Sequence, residues 1–313
     1  MSSSNKIDNL KIDLVYTWCD GNDIKFKNKK LKAMGLDINK TSEVNGDHHI
    51  IQADELLYSL RSVQQNIPWI NKIYIIVDDQ KPNFLNFKSD KIKLVDLKEI
   101  FPADALPNFN TNAIEAVMGR IKGLSEYFIL ASDDMMVNKP LEKSYFYNED
   151  GKPIIYTLKV FGGKIRNHYD SMTYIANFEA NGQVTKKCYQ DCHNMTPHCK
   201  SDYNWVIEKS KYKKDFDATI HGQFRNYFAI QRFFIYLLLR KQNKVEFKYV
   251  GGLVSVKHFR AQLCCENRSK WLVGFFRPSL FCINASKRQN IKENNKIKKF
   301  LNKKFPVKSE FEK

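Results

Sequence analysis

The chain has 313 residues and a formal net charge of +17, from 51 basic and 34 acidic residues, and 43% of its residues are hydrophobic. This length fits one large α/β domain or two small ones, and the hydrophobic content suffices for a packed core. The charge favours anionic partners, although abundant Lys and Asn also reflect genome composition. The polar residues 1–10 speak against a signal peptide, and the most apolar stretch, residues 227–239, is too short to span a bilayer.

Strand and helix patterns alternate over the first 135 residues. Apolar runs predict buried strands, and helical spacing of apolar residues predicts helices. The predicted strands are 10–17, 72–77, 91–97 and 127–131, and the predicted helices are 54–65, with Asp54 as its cap, and 111–124. Residues 22–50 read as a loop with one helix. The alternation predicts an α/β fold with a mostly parallel sheet.

Beyond residue 140 the pattern weakens. The clearest helix is predicted at residues 226–241, and residues 286–304 form a basic segment with apolar anchors at Ile291, Ile297, Phe300, Leu301 and Phe305. The cysteine count of seven is odd and the spacing irregular, which indicates thiols in a reducing compartment. No repeat, Pro/Ser linker or clean domain boundary is visible.

An acidic pair follows the fourth predicted strand. The run YFILAS is followed directly by Asp133 and Asp134. The carboxyl ends of the strands are where open α/β sheets bind ligands. Two neighbouring carboxylates are costly there unless a cation shares the site. The pair therefore predicts ligands for Mg²⁺ or Mn²⁺ on a phosphorylated substrate, with Ser132 and Asn138 nearby; the alternative is a solvated turn.

A turn containing Trp18 and Asp20 follows the first predicted strand. The first βα turn of such folds often binds nucleotides. The Trp18 ring could stack on a base or sugar, and Asp20 could accept hydrogen bonds from sugar hydroxyls. The alternative interpretation is a tight turn with a core Trp.

Soft ligands cluster between residues 188 and 199, and Arg225 follows further on. The cluster comprises Cys188, Cys192, His193, His198 and Cys199. Its spacing matches no common zinc finger, so structural zinc is a minor interpretation. A histidine here could act as a general base, although a lone histidine is more often a structural residue. Arg225 could bind phosphate at the start of the helix predicted there, or lie on the surface.

Several common enzyme motifs are absent from the chain. It contains no G-x-x-x-x-G-K-[ST], no G-x-G-x-x-G and no G-x-S-x-G. Their absence disfavours P-loop ATPases, dinucleotide oxidoreductases and serine hydrolases. The charge suggests a nucleic-acid binder, but no binding module is recognisable, so we expect no nucleic-acid partner.

Taken together, the segments resemble the Stealth family of capsular sugar-phosphate transferases, which are related to N-acetylglucosamine-1-phosphotransferase. The resemblance is carried by IDLVYTWCDGND, by the long block that ends in YFILASDDMMVNKPL, by CHNMTPHCKSDY with HGQFRNYFAIQ, and by SLFCINASK with FLNKKFPVKSEFEK. These blocks occupy residues 12–23, 53–86 and 106–141, 192–203 and 221–231, and 279–287 and 300–313.

The resemblance implies a nucleotide-sugar transferase-like, Rossmann-like fold with a more helical C-terminal half. It implies one catalytic domain over residues 10–313, with a nucleotide- and metal-binding half (10–141), an acceptor and catalytic half (142–285) and a basic segment packed on it (286–313). The implied reaction transfers a sugar-1-phosphate from a nucleotide sugar to an acceptor sugar hydroxyl in a bacterial capsular or other cell-surface polysaccharide. We expect a cytoplasmic location, with peripheral contact to the inner membrane or export machinery left open.

The resemblance also implies roles for particular residues. Asp133 and Asp134 would hold Mg²⁺ or Mn²⁺ on the diphosphate, and Trp18, Asp20 and Asn284 would bind the donor. The catalytic residues implied are His193, Arg225 and Asp134, with His198 also eligible as the base.

The sequence departs from the family pattern at three places. Ser132 stands where Asn is usual, Ala285 follows Asn284 where Asp is usual, and Ile51-Gln52-Ala53 replaces a polar run. These departures motivate the alternative of a weakly active or non-catalytic assembly subunit. A conventional metal-dependent glycosyltransferase of the same pathway, using the same metal site, is the other alternative.

Overall fold

The computed structural model describes residues 6–37, 54–161, 187–191, 194–224, 232–249, 258–261, 273, 277–283 and 291–313. In chain order, the strands are β1 (Ile12–Thr17), β2 (Ile73–Val77), β3 (Ile92–Asp96), β4 (Tyr127–Ser132), β5 (Met135–Val137), β6 (Ile154–Phe161), β7 (Lys187–Asp191), β8 (Thr196–Cys199), β9 (Glu246–Tyr249), β10 (His258–Ala261) and β11 (Leu280–Ile283). The α-helices are α1 (Ile24–Ala33), α2 (Glu55–Asn66), α3 (Leu97–Ile100), α4 (Thr111–Val117), α5 (Lys200–Lys209), α6 (Lys213–His221), α7 (Arg232–Lys241) and α8 (Ile291–Lys304).

A five-stranded sheet in the order β3-β2-β1-β4-β8 lies at the centre. Its first four strands are parallel, and β8 runs antiparallel to β4 at the edge. Thr17 pairs with Ile76 on one side and with Ser132 on the other, so β1, β2 and β4 end side by side. This sheet confirms the predicted α/β class, while the more helical C-terminal half stays a prediction, because four of the described α-helices lie on each side of residue 141.

Apolar side chains cover both faces of the central sheet. Along β1, Leu14 and Tyr16 face one core cluster and Val15 faces the other, as the two-residue period of a strand requires. Helix α2 packs on the face that carries Leu14 and Tyr16, and α4 to α7 pack on the face that carries Val15. Burial on both faces explains why these strands read as continuous apolar runs.

Two predicted helix features are wrong. Asp54 precedes α2 in a left-handed conformation and makes no capping bond; instead its carboxylate pairs with Lys298 of α8 at 2.8 Å. The helix predicted at residues 111–124 ends at Val117 and continues as one 3-10 turn, Met118–Arg120. The chain then turns at Gly123, whose φ of +85° an L-residue rarely adopts. Of the helix predicted at residues 226–241, residues 226–231 lie outside the described ranges.

Two three-stranded sheets flank the central one. One has the order β10-β11-β5 and the other β7-β6-β9. Helix α8 packs on the first of these through Ile297 and Leu301, with Phe305 just beyond the helix, and Phe281 of β11 lies in the same cluster. The predicted anchoring of the basic segment is confirmed for these three side chains, which are all buried.

A buried ion pair joins the last described residues to α2. Arg61 donates from Nε to Glu312 Oε1 at 2.8 Å and from Nη2 to Oε2 at 2.7 Å, and both side chains are at least 91% buried. Arg61 also donates to the Phe305 carbonyl at 3.0 Å. The backbone of Glu312 forms an isolated antiparallel β-bridge with Leu85, and the Lys313 amide donates to the Phe84 carbonyl at 3.0 Å. The pair therefore fixes residues 305–313 against residues 84–86.

In the described ranges, none of the helices combines the length and apolar composition needed to cross a membrane.

Replacing Glu312 by Ala should lower the free energy of unfolding by about 3–5 kcal/mol, because it leaves the Arg61 guanidinium buried without its carboxylate. Denaturant unfolding of the purified protein would measure this. Glu310→Ala is the matched control, since Glu310 is about half exposed and lies 3.8 Å from Lys91, and it should change stability by no more than about 0.5 kcal/mol. Equal effects of the two substitutions would contradict the role of the buried pair.

Candidate active site

The acidic pair forms the turn between two sheets. Asp133 and Asp134 are the two residues between β4, in the central sheet, and β5, in the sheet with β10 and β11. They lie at the edge where β1, β2 and β4 end, as the sequence predicted for a strand followed by acids. The two carboxylates nevertheless have different surroundings.

Asp134 is fixed by β11. Its carbonyl accepts a hydrogen bond from the Ile283 amide at 2.8 Å, and its Oδ2 accepts one from Cys282 Sγ at 2.9 Å. Both donors belong to the strand that pairs antiparallel with β5. The main chain and the side chain of Asp134 are therefore both held from the same side.

Asp133 lies near the side chains of α2 and β1. Burial, and then the negative charges of Asp134 and Glu55, raise the pKa of Asp133 well above its ordinary value. The exposed Cys19 also lies near Asp133. Crowding of negative charge around Asp133 favours a cation or a proton at this point.

A pocket of about 270 Å³ lies at the same edge of the sheet, and its lining includes Glu55, whose negative charge acts on Asp133. Three segments line it: residues 18–23 after β1, residues 54–56 at the start of α2, and residues 80–84 after β2. Trp18 and Asp20, the predicted donor-binding residues, are both in this lining. The backbone of Asp20 is held by Gln80, which accepts from its amide and donates to its carbonyl, both at 3.0 Å.

The asparagine-rich loop before α4 connects to the end of α6. Asn108 donates to the Ile220 carbonyl at 3.0 Å, and Asn110 donates to Gly222 O at 3.1 Å. Phe109 stacks on Phe224 and contacts Phe26 of α1 edge-on. Arg225, the predicted phosphate ligand, follows Phe224 directly but lies outside the described residues.

Helix α1 is bound in turn to the edge of the sheet. Its Lys29 forms an ion pair with Asp78, which follows β2 and is buried. The loop before α4, the end of α6 and α1 thereby form one continuous set of contacts leading to the carboxyl ends of the strands.

His198 lies inside the core, away from the acidic pair. It pairs with Phe128 in the β4–β8 ladder, and four residues at about 3.3 Å each separate Phe128 from Ser132 by about 13 Å. Its ring stacks on Phe128, and its Nε2 lies 3.0 Å from the Tyr236 hydroxyl. Burial, and then the positive charge of Arg232, lower the pKa of His198 well below its ordinary value. His193, the other predicted base, lies outside the described residues.

Within the described part of the chain, no three Asp, Glu, His or Cys side chains are arranged to hold a metal ion. Of the sequence cluster considered for zinc, Cys192 and His193 are outside that part, while Cys199 is a partly buried thiol on β8. A cation at the acidic pair would therefore take few ligands from the described residues, as Mg²⁺ commonly does when phosphates and water complete its coordination.

Asn284 also lies outside the described residues. Its neighbour Ile283 is the residue whose amide donates to the Asp134 carbonyl. The last polar block of the sequence and the acidic pair are thus joined through this backbone bond.

Three residues near the site were not selected from the sequence. Glu55 lies close enough to influence the pKa of Asp133, Asp78 is the buried partner of Lys29, and Cys282 donates to Asp134. Asp78 could have been chosen, because it follows a predicted buried strand as Asp133 does. Nothing local in the sequence distinguishes Glu55 or Cys282.

A mostly parallel sheet whose carboxyl edge carries acids beside a pocket is the architecture of the nucleotide-binding α/β transferases. Residues 49–155 match the family model described as Stealth protein CR2, conserved region 2. The capsular polysaccharide phosphotransferase fcs1 of Haemophilus influenzae is 30% identical over 290 residues, covering 90% of this chain and 80% of that protein. The chain belongs to the Stealth family, so the predicted family and enzyme class, a phosphotransferase, are confirmed.

Other relatives match over shorter parts. The capsular polysaccharide phosphotransferase WcwK of Streptococcus pneumoniae is 41% identical over 143 residues, which are 46% of this chain and 43% of that protein. Among solved structures, the galactosyltransferase LgtC aligns with 95% of this chain and 96% of its own at 10% identity and a TM-score of 0.47. The α/β class follows from the strand order and direction of the central sheet.

The buried His198 predicts a pH-dependent loss of stability. The folded state keeps this imidazole neutral, whereas the unfolded chain binds a proton below about pH 6.5. The contribution of the neutral His198 to the free energy of unfolding should therefore be fully present above about pH 6.5. It should fall by about 1.4 kcal/mol per pH unit as the pH drops toward the lowered folded-state pKa.

Denaturant unfolding of the wild type and of His198→Phe between about pH 7.5 and 5 would measure this contribution. The variant should show a smaller slope than the wild type. An unchanged slope in His198→Phe would show that another group causes the acid sensitivity.

Proposed function

We propose that this chain transfers a sugar-1-phosphate from a nucleotide sugar to a hydroxyl of an acceptor saccharide. The product would be a phosphodiester in a bacterial capsular or other cell-surface polysaccharide. The observation that carries the proposal is the acidic pair at the ends of parallel strands beside a pocket lined by Trp18 and Asp20. The names of the relatives, capsular polysaccharide phosphotransferases, support the same reaction class.

The pocket suits the uncharged part of the donor. Its lining includes the carboxylates Asp20, Asp23, Asp54 and Glu55, which accept hydrogen bonds from hydroxyls, repel phosphate and outnumber the one lysine in that lining, Lys81. Trp18 offers a ring for stacking on a base or sugar. We therefore assign the nucleoside or sugar to the pocket and the diphosphate to the neighbouring acidic pair.

The residues of the acidic pair fit a divalent cation. Carboxylate oxygens are the ligands that Mg²⁺ and Mn²⁺ prefer, and the raised pKa of Asp133 reflects burial and then nearby negative charge, which a cation would neutralise. Asp133 and Asp134 would hold it. When bound, it would supply positive charge to the diphosphate oxygens.

The reaction exchanges one phosphorus–oxygen bond for another. The acceptor hydroxyl oxygen attacks the sugar-linked phosphorus, the bond to the nucleoside monophosphate breaks, and the hydroxyl proton passes to a base. We assign the base to His193 rather than His198, because His198 is buried and lies about 13 Å along β4 from the acidic edge. Positioning and charge neutralisation dominate catalysis of this kind.

Arg225 and Asn284 complete the proposed site. Arg225 would neutralise charge on the phosphoryl oxygens, and its described neighbour Phe224 stacks on Phe109, which contacts α1. Asn284 would bind the donor, and its described neighbour Ile283 donates to the Asp134 carbonyl. The partners we propose are thus a nucleotide-sugar donor and an oligo- or polysaccharide acceptor in the bacterial cytoplasm, with membrane contact left open.

The released nucleotide tests this reaction. Purified protein would be incubated with a panel of nucleotide sugars, Mg²⁺ and capsular oligosaccharide acceptors, and the nucleotide identified by chromatography. Nucleoside monophosphate together with a phosphodiester product is expected. Nucleoside diphosphate would instead establish a conventional glycosyltransferase, and absence of turnover with every donor would favour a non-catalytic subunit.

Replacing Asp133 or Asp134 by Asn should lower product formation by about 100-fold or more, because each change removes negative charge where the diphosphate and its cation would bind. Asp79→Asn is the matched control, since Asp79 is an exposed acid after β2 at the same edge. The control should retain activity, and all three proteins should unfold at similar denaturant concentrations. Unchanged turnover in the Asp134 variant would refute the assignment.

Elongation should slow as salt rises. The product is a polyanion, whereas the protein has a net charge of +17 and many Lys residues on α1 and α8. Electrostatic attraction would therefore retain the growing polysaccharide between additions. Raising NaCl from about 50 to 500 mM shortens the Debye length to roughly 4 Å, and product length measured by gel electrophoresis should fall. A salt-independent length distribution would count against retention by charge.

A further inference from the structure

We propose that Cys282 is a positioning residue for Asp134: its thiol donates a hydrogen bond that orients the Asp134 carboxylate for the donor diphosphate and its cation. This inference rests on the proposed function, because it assumes that Asp134 serves the phosphoryl-transfer site. It assigns a task to a buried thiol of the described structure.

The geometry brings two independent donors to one residue. Cys282 pairs with Met135 in the antiparallel β11–β5 ladder, so its side chain lies next to the turn that carries the acids. Its Sγ lies 2.9 Å from Asp134 Oδ2, while the next residue, Ile283, donates its amide to the Asp134 carbonyl at 2.8 Å. The backbone bond fixes where Asp134 sits, and the thiol bond fixes the direction of its carboxylate.

Burial makes this contact persistent. Cys282 is 0% exposed and packs in the core cluster that also contains Met135 and Leu280, so its side chain has little freedom to rotate away. The Asp133 carboxylate instead lies near Glu55 and Cys19. The thiol bond would thus orient Asp134 in particular.

The chemistry of the thiol suits this task. A neutral S–H is a weak donor, so it can orient a carboxylate without competing strongly with a cation for its charge. Removing a hydrogen-bond partner of a metal ligand commonly lowers metal affinity about 10–100-fold. Serine keeps a donor in nearly the same place, whereas alanine removes it.

Mn²⁺ binding to the purified full chain tests the inference apart from catalysis. Free and bound Mn²⁺ would be measured by electron paramagnetic resonance for wild type, Cys282→Ala and Cys282→Ser. We expect the Ala variant to bind Mn²⁺ about 10-fold more weakly, and the Ser variant to stay within about 3-fold of wild type. In turnover assays the Ala variant should need correspondingly more Mg²⁺ for half-maximal rate, with a smaller change in the rate at saturating Mg²⁺.

Cys199→Ala is the matched control. Cys199 is a partly buried thiol on β8 opposite Tyr127, at the far end of β4 from the acids, and its substitution should leave Mn²⁺ affinity unchanged. Denaturant unfolding would confirm that each variant is folded. Mn²⁺ affinity of Cys282→Ala within about 2-fold of wild type would overturn the inference, as would equal losses in the two alanine variants.

The two proposals fail in different ways. If the wild type forms product and releases nucleoside monophosphate but Cys282→Ala binds Mn²⁺ normally, only the role of Cys282 is lost. If no donor is turned over but Mn²⁺ binding depends on Cys282, the positioning contact survives and the reaction assignment falls. A wild-type protein that binds no Mn²⁺ overturns the inference for Cys282 directly.

Discussion

The site depends on the register of the parallel strands β1, β2 and β4. Because Thr17 lies between Ile76 and Ser132, the segments that follow the three strands leave the sheet at one edge. Trp18 and Asp20, then Gln80 to Phe84, and finally the acidic pair are distant in sequence but neighbours in space for this reason. A slip of one residue in any pairing would also move side chains from one core cluster to the cluster on the opposite face. Core packing and site geometry are therefore enforced by the same constraint.

The acidic pair stands where two sheets meet, and this position makes its members unequal. Asp134 is held by β11 of the smaller sheet, whereas Asp133 lies near the negative charge of Glu55 on α2. Repulsion between adjacent carboxylates falls when one of them is neutralised by a cation or a proton. The corner thus gives two adjacent acids different surroundings.

Local pattern was enough to predict most of the sheet but few of the site contacts. The strands at Ile12–Thr17, Ile73–Val77 and Tyr127–Ser132 read as apolar runs because both faces of the sheet are covered. The contact between Cys282 and Asp134 spans 148 positions, and no local rule anticipates it. Asp54 shows the same limit: its sequence context favours a cap, but a remote lysine on α8 takes the carboxylate.

The histidines illustrate why chemistry alone does not identify a site. His193 and His198 are equally eligible by residue type, yet His198 has every mark of a packing residue: stacked ring, buried surroundings and a tyrosine partner. The position of His198 follows from the direction of β8, which runs antiparallel to β4 and places His198 near the start of β4. Strand direction is a property of the assembled sheet and is not written in the residues around the histidine.

The bond between Arg61 and Glu312 has a consequence for biosynthesis. The two residues are separated by 251 positions, so on the ribosome α2 is made long before its partner exists. The rim of the pocket at Phe84, which residues 311–313 contact, can settle only after these residues have emerged. A nascent chain with a complete parallel sheet would still lack these contacts, so the rim of the pocket forms later than the sheet.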